Sequence, residues 1–135
     1  MTLQLQTILV EVDDHDAALA FYRDAVGLEV RADVKLEFGR WLTVGATEQP
    51  ELGIVLQTVG VGRPPDDAEA LRSLLAKGSL GGLVFTTDDV DALFEKIRAS
   101  GAEVMQEPMD QPYGVRDCAF RDPAGNMVRF NQAKS

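Results

Sequence analysis

Apolar and polar residues alternate over Leu3–Val12, the two-residue period of a half-buried strand. Ile8, Val10 and Val12 share one face, and Leu5, Thr7, Leu9 and Glu11 share the other. The period then changes. Ala18, Phe21, Tyr22 and Ala25 recur at three-and-four spacing, which predicts a helix from His15 to Val26. Asp13 and Asp14 supply N-cap oxygens for it, and Gly27 suits the left-handed residue that stops it. Strand patterns resume at Leu28–Ala32, Val34–Val44 and Leu52–Val59, with a turn at residues 45–50. Gly60–Pro65 is the one linker-like stretch. Beyond it Asp66 and Asp67 open a short helix over Ala68–Lys77 that Gly78 ends. Leu80–Thr87 reads as a strand, and Asp88 and Asp89 cap a helix whose stripe is Val90, Leu93, Phe94 and Ile97. Gly101 closes that helix, and Ala102–Met105 and a final strand pair follow.

The second half repeats the first. Val12-Asp13-Asp14-His15-Asp16 and Thr87-Asp88-Asp89-Val90-Asp91 both join strand to helix, and Gly27-Leu28-Glu29-Val30 parallels Gly101-Ala102-Glu103-Val104. The offset is 75 residues from Val12 to Thr87 and 74 from Gly27 to Gly101. An internal βαβββ duplication accounts for this. It predicts an α+β fold of two tandem modules, with curved mixed sheets around a cleft and helices on the outer faces. The whole chain, residues 1–135, reads as a single domain: module 1 over about 1–60, a linker and short helix over about 61–79, module 2 over about 80–133. Each module alone leaves one sheet face open. The modules therefore pair, within one chain or across a dimer.

Asp122-Pro123-Ala124-Gly125-Asn126 sits between two β-prone runs: Pro123 fixes φ, and Gly125 or Asn126 takes the positive φ of a tight reversal. The strand after it alternates Met127, Val128, Arg129, Phe130, Asn131, so one face packs on a helix and the other meets something polar. This turn and strand, the duplication, and the strand-Asp-Asp-x-Asp-x-x-x-x-Phe-Tyr opening at residues 10–22 cover nearly the whole chain. Together they resemble the vicinal oxygen chelate superfamily of glyoxalase I, the bleomycin resistance proteins and the extradiol dioxygenases. In the superfamily's metalloenzymes a divalent ion in the cleft chelates two neighbouring substrate oxygens. The resemblance implies that its ligand positions fall on Thr7, Gly82, Val55 or Gln57, and Arg129. The closing position is a glutamate in those enzymes and a permanent cation here. Nothing in the set is a strong ligand, so neither a metal nor another cofactor is expected.

Composition narrows the partners. The chain is 45% hydrophobic and 26% charged, ordinary for a globular protein. No apolar run approaches the roughly 20 residues that span a bilayer, and no basic-then-apolar leader opens the chain, so the expected location is the cytoplasm. A net charge of −9 repels nucleic acid and anionic membranes and favours solubility and cationic ligands. Cys118 is the only cysteine, which excludes an intramolecular disulfide and a cysteine-rich zinc site.

No catalytic apparatus stands out. Cys118 lies in a predicted strand with no histidine to serve as its base, and reads as core. His15, the only histidine, lies at a helix start outside the cleft, in a capping or solvated role. Glu11 reads as a rim carboxylate, and Asp110, Asp117 and Asp122 as carboxylates bonded to turns or solvent. The candidates to line a cleft are Phe38, Trp41, Phe85, Met105, Met109 and Tyr113, about half of them expected in the core. Trp41 is the only tryptophan, and Trp and Tyr offer flat faces with a polar handle. The 111–116 loop presents Tyr113 and Arg116, and Arg116 and Arg129 have abundant carboxylates with which to pair.

The expectation is a metal-free, non-catalytic homodimer similar to the bleomycin resistance proteins, sequestering a planar or glycopeptide-like natural product and so conferring antibiotic resistance. Its ligand-binding residues are expected to be Thr7, Leu9, Phe38, Trp41, Gln57, Met105, Tyr113, Arg116 and Arg129. The alternative is a glyoxalase, dioxygenase or isomerase relative with a rearranged site.

Overall fold

The computed structural model describes residues 1–37 and 39–133, and the chain divides into two compact units, Met1–Ser73 and Leu74–Ser135. Unit 1 contains β1 (Thr7–Val12), helix α1 (His15–Leu19, continuing in wider π-type turns over Ala20–Val26), β2 (Glu29–Leu36), β3 (Gly39–Gly45) and β4 (Gly53–Thr58). Helix α2 (Pro65–Ala76) runs across the boundary. Unit 2 contains β5 (Leu83–Thr86), α3 (Val90–Ala99), β6 (Glu103–Asp110), β7 (Val115–Arg121) and β8 (Met127–Ala133). The sheets have matching orders, β1-β4-β3-β2 and β5-β8-β7-β6. Each has one parallel pair, β1 with β4 and β5 with β8, and is otherwise antiparallel. This is the expected α+β duplication.

The helices begin and end where the sequence places their signals. Asp14 accepts a hydrogen bond from the Ala17 N–H, and Asp89 from that of Ala92, both at 3.0 Å. Each satisfies an amide that the first turn would otherwise leave unpaired. Gly27, at φ 99°, stops the first helix, its N–H bonded to the Tyr22 carbonyl. Two boundaries differ from expectation. Residues 34–44 form a hairpin rather than one strand: Leu36 pairs with Gly39, and β2 folds back on β3. Helix α2 begins at Pro65, because proline's fixed φ and missing N–H suit the first helical position; Asp66 and Asp67 lie inside the first turn.

In each unit one sheet face packs on a helix. Phe21 and Tyr22 of α1 meet edge to face at 4.9 Å and are buried, as are Val12, Leu42, Val44 and Leu56. In unit 2, Phe94 of α3 lies 5.3 Å from Phe120, and Phe85 stacks on Phe130 at 5.5 Å. Each such side chain contributes about 1.5–3 kcal/mol through burial. Cys118 is fully buried and belongs to the core, whereas Phe85 is half-buried against Phe130.

The Asp122–Asn126 turn is a folding device. Asp122 Oδ1 accepts from the N–H groups of Ala124, Gly125 and Asn126, each at 2.9 Å, and Oδ2 accepts from Asn126 Nδ2 at 2.8 Å. Gly125 has φ 121°, and a Cβ there would lie 2.1 Å from the Leu75 carbonyl oxygen. The glycine thus meets both a backbone and a packing demand.

Candidate ligand-binding faces

Strand alternation turns the remaining residues to the face without a helix. In unit 1, β1 and β4 align Thr7 with Gly53, Leu9 with Val55, and Glu11 with Gln57, while Val55 also aligns with Thr43 of β3. Val55 and Gln57 are two apart in one strand, so both face the same way. Trp41, two residues before Thr43 and 44% exposed, stands on this face beside a cavity of about 180 Å³. Leu36, Val55, Gln57, Thr58 and Val61 help to line it. A second, more polar hollow holds Thr7, Thr43, Gln4, Gln6 and Arg31. The Arg31 guanidinium is occupied, donating to the carbonyls of Ala46, Gln49, Pro50 and Leu52 and thereby closing the β3–β4 loop. Glu11 is ion-paired to Arg63, with a shortest separation of 2.6 Å.

In unit 2 the row across the sheet is Val84, Arg129, Ala119 and Gln106. Val128 and Phe130, on either side of Arg129, are buried in the core, so Arg129 points away from it. Its Nη1 donates to Gln106 Oε1 at 3.0 Å and Asp117 Oδ2 at 3.1 Å. Asp117 Oδ1 accepts from Gln106 Nε2 at 2.7 Å and Gln111 Nε2 at 2.9 Å. Burial alone would raise the Asp117 pKa. The bonds from Gln111 and Gln106, together with the Arg129 charge, outweigh it and hold the carboxyl below its ordinary range.

The sequence-derived candidates separate by position. Thr7, Leu9, Trp41 and Gln57 share the open face of unit 1, and Arg129 occupies that of unit 2. Met105 of β6 is 41% exposed beside a bulge in the β6–β7 pairing, and Tyr113 is 71% exposed in the loop before β7. Met109, aligned with Asp117, is also exposed. Arg116 is on the helix side, donating to Asp91 at 2.8 Å and Asp110 at 3.3 Å, so it is committed to the pairing foreseen as its other role. Phe38 lies outside the described residues. His15 is part-buried and donates from Nε2 to the Leu56 carbonyl at 2.9 Å, a helix-to-strand tie rather than a cap or solvated group. Sequence reasoning missed Gln106, Gln111 and Val61. Both glutamines look like ordinary surface residues until the β6–β7 pairing, for Gln106, and the turn that joins those strands, for Gln111, bring them to Asp117.

The positions where the resemblance implies metal ligands do not suit a divalent ion. Thr7, Val55, Gln57 and Arg129 offer no imidazole or carboxylate. Position 82 has no room for a side chain, because a Cβ on Gly82 would lie 2.3 Å from the Met127 carbonyl oxygen. Among the described residues, no group of three or more His, Cys, Asp or Glu gathers to hold a metal.

Fold and faces together define a duplicated α+β protein with two open sheet surfaces. A model of the Glyoxalase/Bleomycin resistance protein/Dioxygenase superfamily matches residues 4–130, and the chain belongs to that superfamily. The uncharacterized protein PA2024 of Pseudomonas aeruginosa is 31% identical over 134 residues, covering 97% of this chain and 89% of that one. The crystal structure of UcmS2 superposes with a TM-score of 0.89 at 36% identity, covering 97% of this chain and 98% of that one. TnmS3, an antibiotic binding protein from Streptomyces sp. CB03234, superposes with a TM-score of 0.76 at 33% identity, covering 98% of both chains. No helix among the described residues is long and apolar enough to cross a membrane.

Proposed function

We propose that this protein binds a planar or glycopeptide-like natural product and releases it unchanged, sequestering an antibiotic as a homodimer in the cytoplasm. The observation that carries this reading is Trp41. A lone tryptophan is costly to leave in water, yet this one stands half-exposed on a helix-free sheet face beside an apolar hollow. The likeness to TnmS3, an antibiotic binding protein, supports an antibiotic as the ligand. The charged groups nearest these faces are engaged with one another, Glu11 with Arg63 and Asp117 with Arg129, an arrangement suited to binding rather than proton transfer.

Leu3, Leu5 and Leu9 leave much apolar surface exposed, which supports burial against a second copy. Sedimentation equilibrium giving twice the chain mass checks the dimer. The ligand test is titration with planar aromatic antibiotics and with bleomycin, following Trp41 fluorescence and then recovering the ligand. Quenching at micromolar or lower concentration with intact ligand is expected. A chemically altered ligand would instead make the protein an enzyme.

A further inference from the structure

Two hollows of unit 1 meet at one pair of residues. Thr43 of β3 lines the polar hollow, of about 520 Å³, and Val55 of β4, its partner in register, lines the apolar one beside Trp41. Trp41 and Thr43 are two apart on β3, as are Val55 and Gly53 on β4. The hollows therefore follow one another along the open face, a step of about 7 Å for two residues of strand. Thr43 is 7% exposed, and its hydroxyl, which has no hydrogen-bond partner among the described residues, opens into the polar hollow. A ligand seated there removes that hydroxyl from water and must supply the missing bond.

Donor count and charge select the occupant. Arg31 lines the polar hollow, and Gly45 leaves room for it, since a Cβ at Gly45 would lie 2.5 Å from the guanidinium carbon. All five Arg31 N–H groups are committed, Nε to Glu29 at 3.2 Å and the other four to the carbonyls of Ala46, Gln49, Pro50 and Leu52. A phosphate or carboxylate would meet a cation with no donor left to give. It would also face the Glu51 carboxylate, which has no ion-pair partner among the described residues. The side chains of Gln4, Gln6, Thr7 and Thr43 remain available, amides and hydroxyls without a bond among the described residues. Such groups both donate and accept, and so do the hydroxyls of a saturated, uncharged ring. The apolar hollow is the opposite: Trp41, Leu36, Val55 and Val61 suit the faces of a flat ring. Two rings joined through one oxygen span the step between the hollows.

We infer that unit 1 binds an aryl glycoside, its flat ring on Trp41 and its neutral polyhydroxylated ring in the polar hollow against Thr43. This rests on the ligand-binding reading above and adds to it the second group and the way that group is attached.

Isothermal titration compares four 4-methylcoumarins that differ only at the 7-oxygen: the methyl ether, the cyclohexyl ether, the β-glucoside and the phosphate. The glucoside is expected to bind about tenfold or more tightly than either ether, the effect of a few net hydrogen bonds. The phosphate should bind no more tightly than the methyl ether. A cyclohexyl ether or a phosphate that equals or exceeds the glucoside overturns the inference. Thr43→Val keeps the shape of the side chain and removes its hydroxyl. In this variant the preference for glucoside over cyclohexyl ether should fall by about threefold or more, the loss of one hydrogen bond. An undiminished preference also overturns the inference. Should the variant not fold, the comparison of the four probes on the wild-type protein decides alone. Equal binding of all four removes this inference and leaves the planar-ligand reading standing; binding of none removes both.

Discussion

Arg40 and Arg116 occupy equivalent places in the two modules and make equivalent bonds. Arg40, on β3, pairs with Asp16 in the first turn of α1 at 3.2 Å and Asp33 of β2 at 2.8 Å. Arg116, on β7, pairs with Asp91 in the first turn of α3 at 2.8 Å and Asp110 of β6 at 3.3 Å. The duplication thus retains a charge triad that ties helix start, second strand and third strand together. In both triads the carboxylates also favour the positive end of a helix or its neighbourhood.

These triads lie at the surface, so their effect should be small and screened by salt. Hydrogen bonds from Arg40 and Arg116 hold the Asp33 and Asp91 pKa values below the ordinary carboxylate range. A depressed folded-state pKa stabilises above the unfolded pKa of about 4 and loses that effect as pH falls through the folded value. Arg40→Ala and Arg116→Ala should each lower Tm slightly at neutral pH. The two losses should shrink in high salt and as pH falls through the depressed titrations of these carboxyls, as thermal melts would register.

The Asp117 network is more shielded, and the same sign applies to it. Its carboxyl is buried, accepts from Gln111 and Gln106, and faces Arg129. Arg129→Met leaves that carboxylate with its two amide donors and no cation. A stability loss of about 1–3 kcal/mol by urea denaturation is expected at pH 7, diminishing as pH falls through the Asp117 titration.

Trp41→Ala separates binding from folding. The side chain is 44% exposed, so the variant should unfold within a few degrees of the parent by calorimetry. Its affinity for a planar ligand should fall by about tenfold or more, the loss of an aromatic surface whose burial is worth roughly 1.5–3 kcal/mol. Unchanged affinity in a folded variant would place the binding surface elsewhere.

Gly125 and Gly101 distinguish packing from backbone strain. Both have positive φ, 121° and 93°, but a Cβ on Gly101 meets nothing within 4 Å, whereas one on Gly125 runs into the Leu75 carbonyl. Gly101→Ala should cost about 1–2 kcal/mol from backbone strain alone. Gly125→Ala should cost several kcal/mol more, or prevent folding, because the obstacle is backbone rather than a movable side chain. Chemical denaturation of the two variants side by side checks the order.

Cys118 should resist alkylation in the folded protein. Burial first, and then the neighbouring Asp117 charge, push its thiol up to about 11, which leaves little thiolate at pH 8. Iodoacetamide should label it in denaturant and leave it unmodified in buffer, as intact-protein mass spectrometry would show.

Much of this was legible along the chain. Asp14, Gly27, Asp89 and Gly101 marked helix ends through local backbone needs that involve only near neighbours. The hairpin inside residues 34–44 was not, because Gly39 is the only turn-forming residue in a run that is otherwise strand-prone on both sides of it. His15 looked solvent-bound because its partner, the Leu56 carbonyl, is 41 residues away. Arg116 and Arg129 looked alike as strand arginines. Their surroundings divide them: Arg116 faces carboxylates on its own helix and sheet edge, and Arg129 faces away from the core.

The sequence by itself determined the duplicated βαβββ order, the capped helices, the Asp122–Asn126 turn, and the lack of metal-ligating side chains at Thr7, Gly82 and Arg129. Each is set by residue type and short-range spacing. Tertiary structure decided which side chains meet. Strand register carries Gln106 to Asp117, turns Arg129 away from the core, and sets Trp41 beside an apolar hollow. Register follows from long-range pairing and from which sheet face the helix covers, and a one-residue slip would reverse it, so no local stretch of sequence contains it.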